Sequence, residues 1–258
     1  MINTIALGNP SVGKSTLLNS LVKETVFRAG TSRGGGLTDG LIWEQRGNYN
    51  YADTPGLADI EKRERAAKDI EKGLKEGGEY RLLFVSSLTN GRCSAEDVTT
   101  MILVLKSLQS IGRCYGLIFN QIEEYDANAF ITFPKEKTQT IQYFRKAIQK
   151  EKLQWCGDQN VFFIKEHQEL KRKENALVPA DQLNDIYEVP FDKIWSDWPS
   201  ILIEKDSVHP IELERLDEIM EMVKLLFQEL KTLHVHLPCK YNRTMFDRFI
   251  ENLKPFYL

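Results

Sequence analysis

The sequence has few cysteines, and they follow neither a disulfide framework nor a metal-site spacing. Its 258 residues include four, none in a C-x-x-C pair: Cys93, Cys114, Cys156 and Cys239. This usage is typical of reduced thiols in the cytosol or nucleus. His234 and His236 lie near Cys239, but no second ligand pair follows at zinc-finger spacing. We therefore interpret both histidines as surface or packing residues.

An excess of positive charge and a long apolar run are also missing. Lys and Arg total 34 against 37 Asp and Glu, which leaves a net charge of −3. Non-specific binding to nucleic acid usually needs a basic surface, so we expect no nucleic-acid partner. No apolar run approaches the roughly 18 residues that cross a bilayer, and the N-terminus enters a strand without room for a secretion signal. We expect a cytoplasmic chain with no transmembrane segment.

What the sequence does contain is an alternation of apolar strands and amphipathic helices. Strands are predicted at 2–7, 41–45, 48–52, 81–86, 115–119 and 161–164, and helices from 14 and at 61–76, 95–111 and 135–152. Such alternation predicts an α/β fold in three layers, a mostly parallel sheet with helices on both faces. We expect 1–165 to form this core, 166–208 an irregular connection, and 209–258 a helical extension packed on the core.

The helical extension carries an apolar seam. Its leucine-rich positions repeat at alternating spacings of three and four: Leu216, Ile219, Val223, Leu226, Leu230 and Leu233. The seam is short for an autonomous coiled coil, and neighbouring Met and Phe residues widen it, which favours packing on the core over self-association. A second helix, predicted at 243–253, has two possible roles: docking on the same face or serving as an interaction tail.

The segment GNPSVGKST, residues 8–16, matches the phosphate-binding pattern G-x-x-x-x-G-K-[ST]. It lies between a predicted strand and a predicted helix, as that pattern requires. Lys14 is expected to reach the β- and γ-phosphates, and the Ser15 hydroxyl to bind Mg²⁺. The predicted nucleotide contacts in this loop are Asn9, Pro10, Ser11, Val12, Gly13, Lys14, Ser15 and Thr16.

A second segment, DTPGLAD at 53–59, predicts a sensor for the terminal phosphate. Asp53 ends a strand and is expected to hold Mg²⁺ through water, while the Gly56 N–H senses the γ-phosphate. We choose Thr38 as the threonine that closes over the metal. Thr31 and Ser32 remain alternatives, because loop length alone does not define the register. The predicted metal ligands are thus Ser15, Thr38 and Asp53, and the predicted catalytic residues are Lys14, Thr38 and Gly56.

The residue after Gly56 is Leu57, where Ras-like proteins have a glutamine that positions the attacking water. Leucine cannot polarise water, so hydrolysis is expected to be slow unless another group supplies the missing chemistry. Arg33 and Arg63 are the exposed cations that we consider for reaching across an interface. For both, a solvated surface charge is the favoured alternative.

The base-recognition segment departs from the usual N-K-x-D. It contains Asn120, Gln121 in place of the lysine, and Glu123 in place of the aspartate. A buried carboxylate would find two N–H donors on guanine and none on adenine, which favours GTP over ATP. In the alternative, Glu123 and Glu124 begin an exposed acidic loop and the base is held by apolar walls.

Three pieces of sequence resemble the AIG-type, or GIMAP-like (immunity-associated), GTPases of the paraseptin group of TRAFAC P-loop GTPases. Asn19-Ser20-Leu21 followed by Phe27 is similar to the family's N-S-I-L…F, and Leu37-Thr38 falls at its switch I threonine. The segment GRCSAED, 91–97, resembles its G-R-[FY]-[ST]-x-x-D box, with Cys93 where an aromatic residue is usual. The resemblance covers about 2–125 and implies nucleotide-dependent homodimerisation through the G-domain face.

Together these features predict a GTP-binding protein that uses GTP or GDP with Mg²⁺, hydrolyses GTP slowly, and acts as a switch or a dimerising assembly GTPase with an unidentified protein effector. Two alternatives remain open. One is a non-hydrolysing, nucleotide-dependent interaction module, and the other is an ATPase of another P-loop class.

Overall fold

The computed structural model describes residues 1–30, 38, 40–89, 91–108, 111–172 and 175–235. Several features named above lie outside these ranges: Thr31, Ser32, Arg33, Leu37, His236, Cys239 and the helix predicted at 243–253. They stay predictions.

Within the described ranges, eight strands form one mixed sheet. In chain order they are β1 (Ile2–Leu7), β2 (Ile42–Arg46), β3 (Tyr49–Asp53), β4 (Gly78–Thr89), β5 (Arg92–Cys93), β6 (Gly116–Ile122), β7 (Val161–Lys165) and β8 (Ile201–Ile203). The sheet order is β2-β3-β1-β4-β6-β7, and β5 and β8 both pair with β4. β3, β1, β4, β6 and β7 are parallel neighbours, and β2 joins β3 antiparallel. The predicted mostly parallel sheet is confirmed.

Helices cover both faces of this sheet. They are α1 (Lys14–Val22), α2 (Arg63–Leu74), α3 (Ala95–Ser107), α4 (Glu124–Thr132), α5 (Pro134–Lys150), α6 (Gln168–Arg172), α7 (Phe191–Ser196) and α8 (Leu216–Val235). One apolar core joins the sheet to α2, α3, α5 and α8, and the other joins it to α1 and α7. The three-layer α/β fold is therefore confirmed. In the described ranges no helix is both long and apolar enough to cross a bilayer.

The seam of α8 is buried against the rest of the chain. Ile219, Val223 and Leu230 are almost fully buried, and they belong to the same core as α3 and α5. The Phe227 ring meets Tyr143 of α5 edge-on, with ring centroids 4.6 Å apart. The seam residues described here are used for packing within the chain.

The stretch 166–208 differs from the irregular connection that we expected. It contains α6, α7 and β8, and β8 adds antiparallel to β4 at Gly78–Tyr80. Trp198 is buried, and its indole N–H donates to the Leu82 carbonyl at 3.1 Å. A Cβ on Gly116 would lie 2.4 Å from that indole, so only glycine lets the ring approach β6. The buried residues Phe191, Ile194, Trp195 and Trp198 follow the i, i+3, i+4, i+7 spacing of a helical face, a signal that the expectation of an irregular connection overlooked.

Candidate nucleotide and magnesium site

The phosphate-binding loop runs from the end of β1 to the start of α1. Gly8 and Gly13 have positive φ values of 147° and 91°. A Cβ would lie 2.2 Å from the Val85 carbonyl oxygen at Gly8, and 2.3 Å from the Asn120 amide nitrogen at Gly13. Both positions therefore require glycine, because the loop is pressed against the ends of β4 and β6. This is the edge of a parallel sheet where ligands bind in open α/β folds.

Lys14, the first residue of α1, is almost completely buried. Its ammonium Nζ donates to the Asn9 carbonyl at 2.9 Å. Burial lowers the pKa of Lys14, and the charges of Asp53 and Asp97 act in the opposite direction. The loop thus holds a desolvated cation next to its own backbone, an arrangement suited to receiving phosphate oxygens.

Asp53, at the end of β3, brings together the three predicted metal ligands. Ser15 Oγ donates to its Oδ2 at 2.7 Å, and Thr38 Oγ1 donates to the same oxygen at 2.9 Å. The other oxygen, Oδ1, is buried without a hydrogen-bond partner. Burial raises the pKa of Asp53, opposed by the charge of Lys14 and the two hydroxyl hydrogen bonds. Two hydroxyls and a carboxylate are the hard oxygen donors that Mg²⁺ takes, so these residues fit that ion.

Gly56 lies directly against the phosphate-binding loop. A Cβ there would be 2.3 Å from Pro10 Cδ and 2.5 Å from Pro10 N. Nearby, the Thr54 hydroxyl donates to the Ala6 carbonyl at 2.6 Å, which attaches the DTPG segment to β1. The predicted phosphate sensor and the phosphate-binding loop are therefore in contact.

Leu57 points away from this contact. Its side chain is fully buried in the core that includes Ala52 and Ala66. Its carbonyl accepts a hydrogen bond from Arg63 Nε at 2.8 Å. The expectation that Arg63 is a free, exposed cation is corrected here: it is half-buried and attached to the backbone of its own chain.

The base-recognition residues lie beside the phosphate-binding loop, with one exception. Asn120 is buried, and its Nδ2 donates to the Val12 carbonyl at 3.0 Å. Gln121 takes a positive φ of 59° and donates to the Ser11 carbonyl at 3.4 Å. Glu123 is exposed and precedes α4, without a side-chain capping bond. The helix α4 starts at Glu124. The alternative in which Glu123 and Glu124 begin an acidic loop is wrong on this point.

Asp97 belongs to the GRCSAED segment and has a role in the site that its sequence pattern did not predict. Its carboxylate is buried and accepts from Asn9 Nδ2 at 2.7 Å and from Ser86 Oγ at 2.6 Å. The pattern S-x-x-D at 94–97 is typical of the start of a helix, so the sequence indicated a capping role for this segment. Ser94 does cap α3, accepting from the Asp97 N–H at 3.3 Å, while the Asp97 side chain points to the phosphate-binding loop.

Asn19 gives the N-S-x…F resemblance a structural role. Its side-chain oxygen accepts from the Val26 and Phe27 backbone N–H groups at 3.0 and 2.9 Å. Its Nδ2 donates to the Phe27 carbonyl at 2.7 Å. Asn19 therefore attaches the chain after α1, on its way to Thr38, to the helix that begins at the phosphate-binding loop.

Comparison with known families agrees with this geometry. The family described as "50S ribosome-binding GTPase" matches residues 3–132, just over half of the chain. The chain belongs to this GTPase family. No curated protein is similar enough to this GTPase to count as a match.

Two solved structures share the fold. Toc33 from Arabidopsis thaliana in complex with GDP and Mg²⁺ is 20% identical, with a TM-score of 0.51, over 79% of this GTPase and 88% of Toc33. A dimerisation-deficient Toc33 variant is 18% identical, with a TM-score of 0.52, over 79% and 87%. The predicted cofactors, GTP or GDP with Mg²⁺, agree with the family and with the ligands of the Toc33 complex.

Proposed function

We propose that the protein binds Mg²⁺·GTP, hydrolyses GTP slowly, and acts as a nucleotide-dependent switch or assembly GTPase. The observation that carries this proposal is the convergence on Asp53. Ser15, in the first turn of α1, and Thr38, in the chain between α1 and β2, donate to one carboxylate oxygen, while the other oxygen is buried and unpaired. A divalent cation would satisfy the groups that this arrangement leaves buried.

Each predicted residue then has a role. Lys14 would hold the β- and γ-phosphates, and Ser15, Thr38 and Asp53 would hold the metal ion. When bound, Mg²⁺ neutralises phosphate charge. The loop 9–16 wraps the phosphates with backbone N–H groups, and Asn120 braces that loop through the Val12 carbonyl. Gly56, in contact with Pro10, reports the γ-phosphate to the DTPG segment.

Slow hydrolysis follows from the environment of Leu57. Its side chain is apolar and lies in the core, so this position supplies no group to orient water. The same observation favours a second candidate function, a non-hydrolysing module in which bound triphosphate only orders the switch segments. An ATPase of another P-loop class is the third candidate, and the family match weighs against it.

Within the GTPase family, we place the protein with the AIG-type, GIMAP-like proteins of the paraseptin group. Support comes from the contacts of Asn19 with Phe27 and of Asp97 with Asn9, which give two of the resembling segments defined positions beside the nucleotide site. We also propose a cytoplasmic location, since Cys93, Cys114 and Cys156 are free thiols.

We further propose that the protein forms a homodimer through its nucleotide face and signals to a protein effector. Toc33, which shares the fold, exists in a dimerisation-deficient variant. Arg63 is held by Leu57, so Arg33 is the stronger of the two predicted candidates for a residue that acts across the interface.

Single-turnover hydrolysis with GTP and with ATP, at several protein concentrations and with or without Mg²⁺, tests these proposals. We expect slow, Mg²⁺-dependent cleavage of GTP whose rate per molecule rises with protein concentration. Tight GTP binding without cleavage at any concentration would support the interaction module, and preference for ATP would support the third candidate. Fast turnover independent of concentration would contradict the proposal. Light scattering during a nucleotide titration reports dimerisation in the same samples.

A further inference from the structure

Asp97, near the N-terminus of α3, is a buried carboxylate outside the predicted site, and three hydrogen bonds to its side chain are described. One oxygen accepts from Asn9 Nδ2 at 2.7 Å, and the other accepts from Ser86 Oγ at 2.6 Å and from the Ser87 N–H at 3.3 Å. All three donors lie at the carboxyl-end edge of the sheet, two of them where β4 passes the phosphate-binding loop. The carboxylate is therefore fully engaged there.

The amide of Asn9 is held from both sides by α3. Its Nδ2 donates to Asp97, and its Oδ1 accepts from Thr100 Oγ1 at 2.7 Å. The carboxylate allows one orientation of the amide, since it only accepts hydrogen bonds and the reverse would set the amide oxygen against it. The Thr100 hydroxyl, which can donate or accept, then donates to the amide oxygen. The backbone of Asn9 is then fixed as well, and its carbonyl is the group that accepts from Lys14 Nζ at 2.9 Å.

The contacts therefore form a continuous chain from α3 to the phosphate-binding lysine. Asp97 orients the Asn9 side chain, the Asn9 backbone accepts from Lys14, and the negative charge of Asp97 also acts on the buried ammonium. Helix capping does not account for this carboxylate, because the cap of α3 is the Ser94 side chain and uses only the backbone N–H of Asp97.

We propose that Asp97 is a positioning residue of the phosphate site, which holds Asn9 so that the loop and Lys14 are preset for a nucleoside di- or triphosphate. The inference rests on the proposed function, because it assigns a role within the same nucleotide site. In this role, the GRCSAED segment attaches the first turn of α3 to the phosphate-binding loop.

The test compares Asp97→Asn, nearly the same shape without the charge, with Glu96→Gln as a matched control in the full-length protein. Glu96 is the adjacent acid, exposed and bonded only to Ser94 among the hydrogen bonds described. We expect the affinities for GDP and for GTP to fall about tenfold in Asp97→Asn, as for loss of a hydrogen bond to a charged group. Glu96→Gln should stay within about twofold of the wild type.

A double-mutant cycle with Asn9→Ala shows whether Asp97 acts through Asn9. If it does, adding Asp97→Asn to Asn9→Ala lowers affinity by less than about twofold further. Thr100→Val removes the other hydrogen bond to the Asn9 amide and should weaken both nucleotides in the same direction. This variant keeps the test decisive if Asp97→Asn does not fold.

The rise in Tm on adding saturating GDP separates positioning from a structural role. In a positioning role the nucleotide-dependent rise shrinks in Asp97→Asn. Equal loss of Tm with and without GDP, at unchanged affinity, would overturn the inference and leave the proposed function intact. Wild-type protein that binds neither GDP nor GTP would overturn the proposed function and this inference together.

Discussion

At the phosphate end of the candidate site, side chains from several segments form buried hydrogen bonds with one another. At the base end, the candidate carboxylate is exposed to solvent. Ser15 and Thr38 both reach Asp53, and Lys14 is enclosed by its own loop. At the base end, Glu123 is exposed. Asn120 instead contacts the phosphate-binding loop.

This difference teaches that the two ends contribute differently to binding. Groups already oriented and desolvated cost little reorganisation when a charged ligand arrives, so most of the affinity should come from the phosphate end. The base end must gain its contacts on binding. Discrimination between guanine and adenine should therefore be weaker and easier to alter than phosphate affinity.

The largest effect should come from Lys14→Ala. Removing this buried ammonium should weaken the binding of GDP and GTP by more than about a hundredfold, because charge-assisted hydrogen bonds to phosphate are strong. Titration with a fluorescent nucleotide measures this, and Lys68→Ala, an exposed lysine of α2, serves as the control. Near-normal affinity in Lys14→Ala would contradict the assignment of the phosphate end.

A second prediction separates metal binding from phosphate binding. Asp53→Asn keeps an oxygen for Ser15 and Thr38 but removes the charge, so the gain in GTP affinity on adding Mg²⁺ should shrink about tenfold or more. Affinity in EDTA should change little. The control is Asp59→Asn, an acid of the same segment whose side chain accepts only from the Glu61 N–H among the hydrogen bonds described. An undiminished Mg²⁺ response would contradict this role of Asp53.

A third prediction concerns the base end. If Glu123 swings onto guanine, Glu123→Gln should weaken GTP about fivefold to tenfold and leave ATP unchanged, because only guanine offers the two donors. Glu124→Gln, the next acid along and the first residue of α4, is the matched control. Equal GTP affinity in wild type and Glu123→Gln would favour recognition of the base by apolar walls.

The smallest effect on turnover should come from Leu57→Gln. The side chain at this position is buried in the core, so a glutamine should not reach the nucleotide, and the hydrolysis rate should stay within about twofold of the wild type. Stability should fall, since burying an unpaired amide costs about 1–3 kcal/mol. Thermal unfolding and single-turnover kinetics on one preparation measure both. A large gain in hydrolysis rate would show that the segment 53–59 reorients on nucleotide binding and brings position 57 to the nucleotide.

Prediction from the sequence succeeded where a motif specifies its own backbone conformation. GNPSVGKST encodes a turn that only glycines at its two ends allow, and the structure shows Gly8 and Gly13 in that role. Thr38, which we prefer to Thr31 and Ser32, does contact Asp53. The metal and nucleotide roles of these residues stay predictions until they are measured.

Prediction failed where a contact joins residues far apart in the chain. Asp97 and Asn9 are separated by 88 positions, and Trp198 reaches Leu82 across 116. Neither pair follows from a local pattern. The sequence also did not predict that the Leu57 side chain is buried. A leucine after DTPG is compatible with a surface or a core position, and the packing of α2 decides between them.

The sequence by itself determined the alternation of strands and helices, the phosphate-binding loop, and the acid that ends β3. These features depend on local conformational preferences and on a hydrophobic period that a single segment carries. Only the tertiary structure decided that Leu57 belongs to the core, that Arg63 is attached to its own backbone, and that Asp97 holds Asn9. These features depend on which helices and strands, far apart in the chain, pack against each other. No single segment of the sequence contains that information.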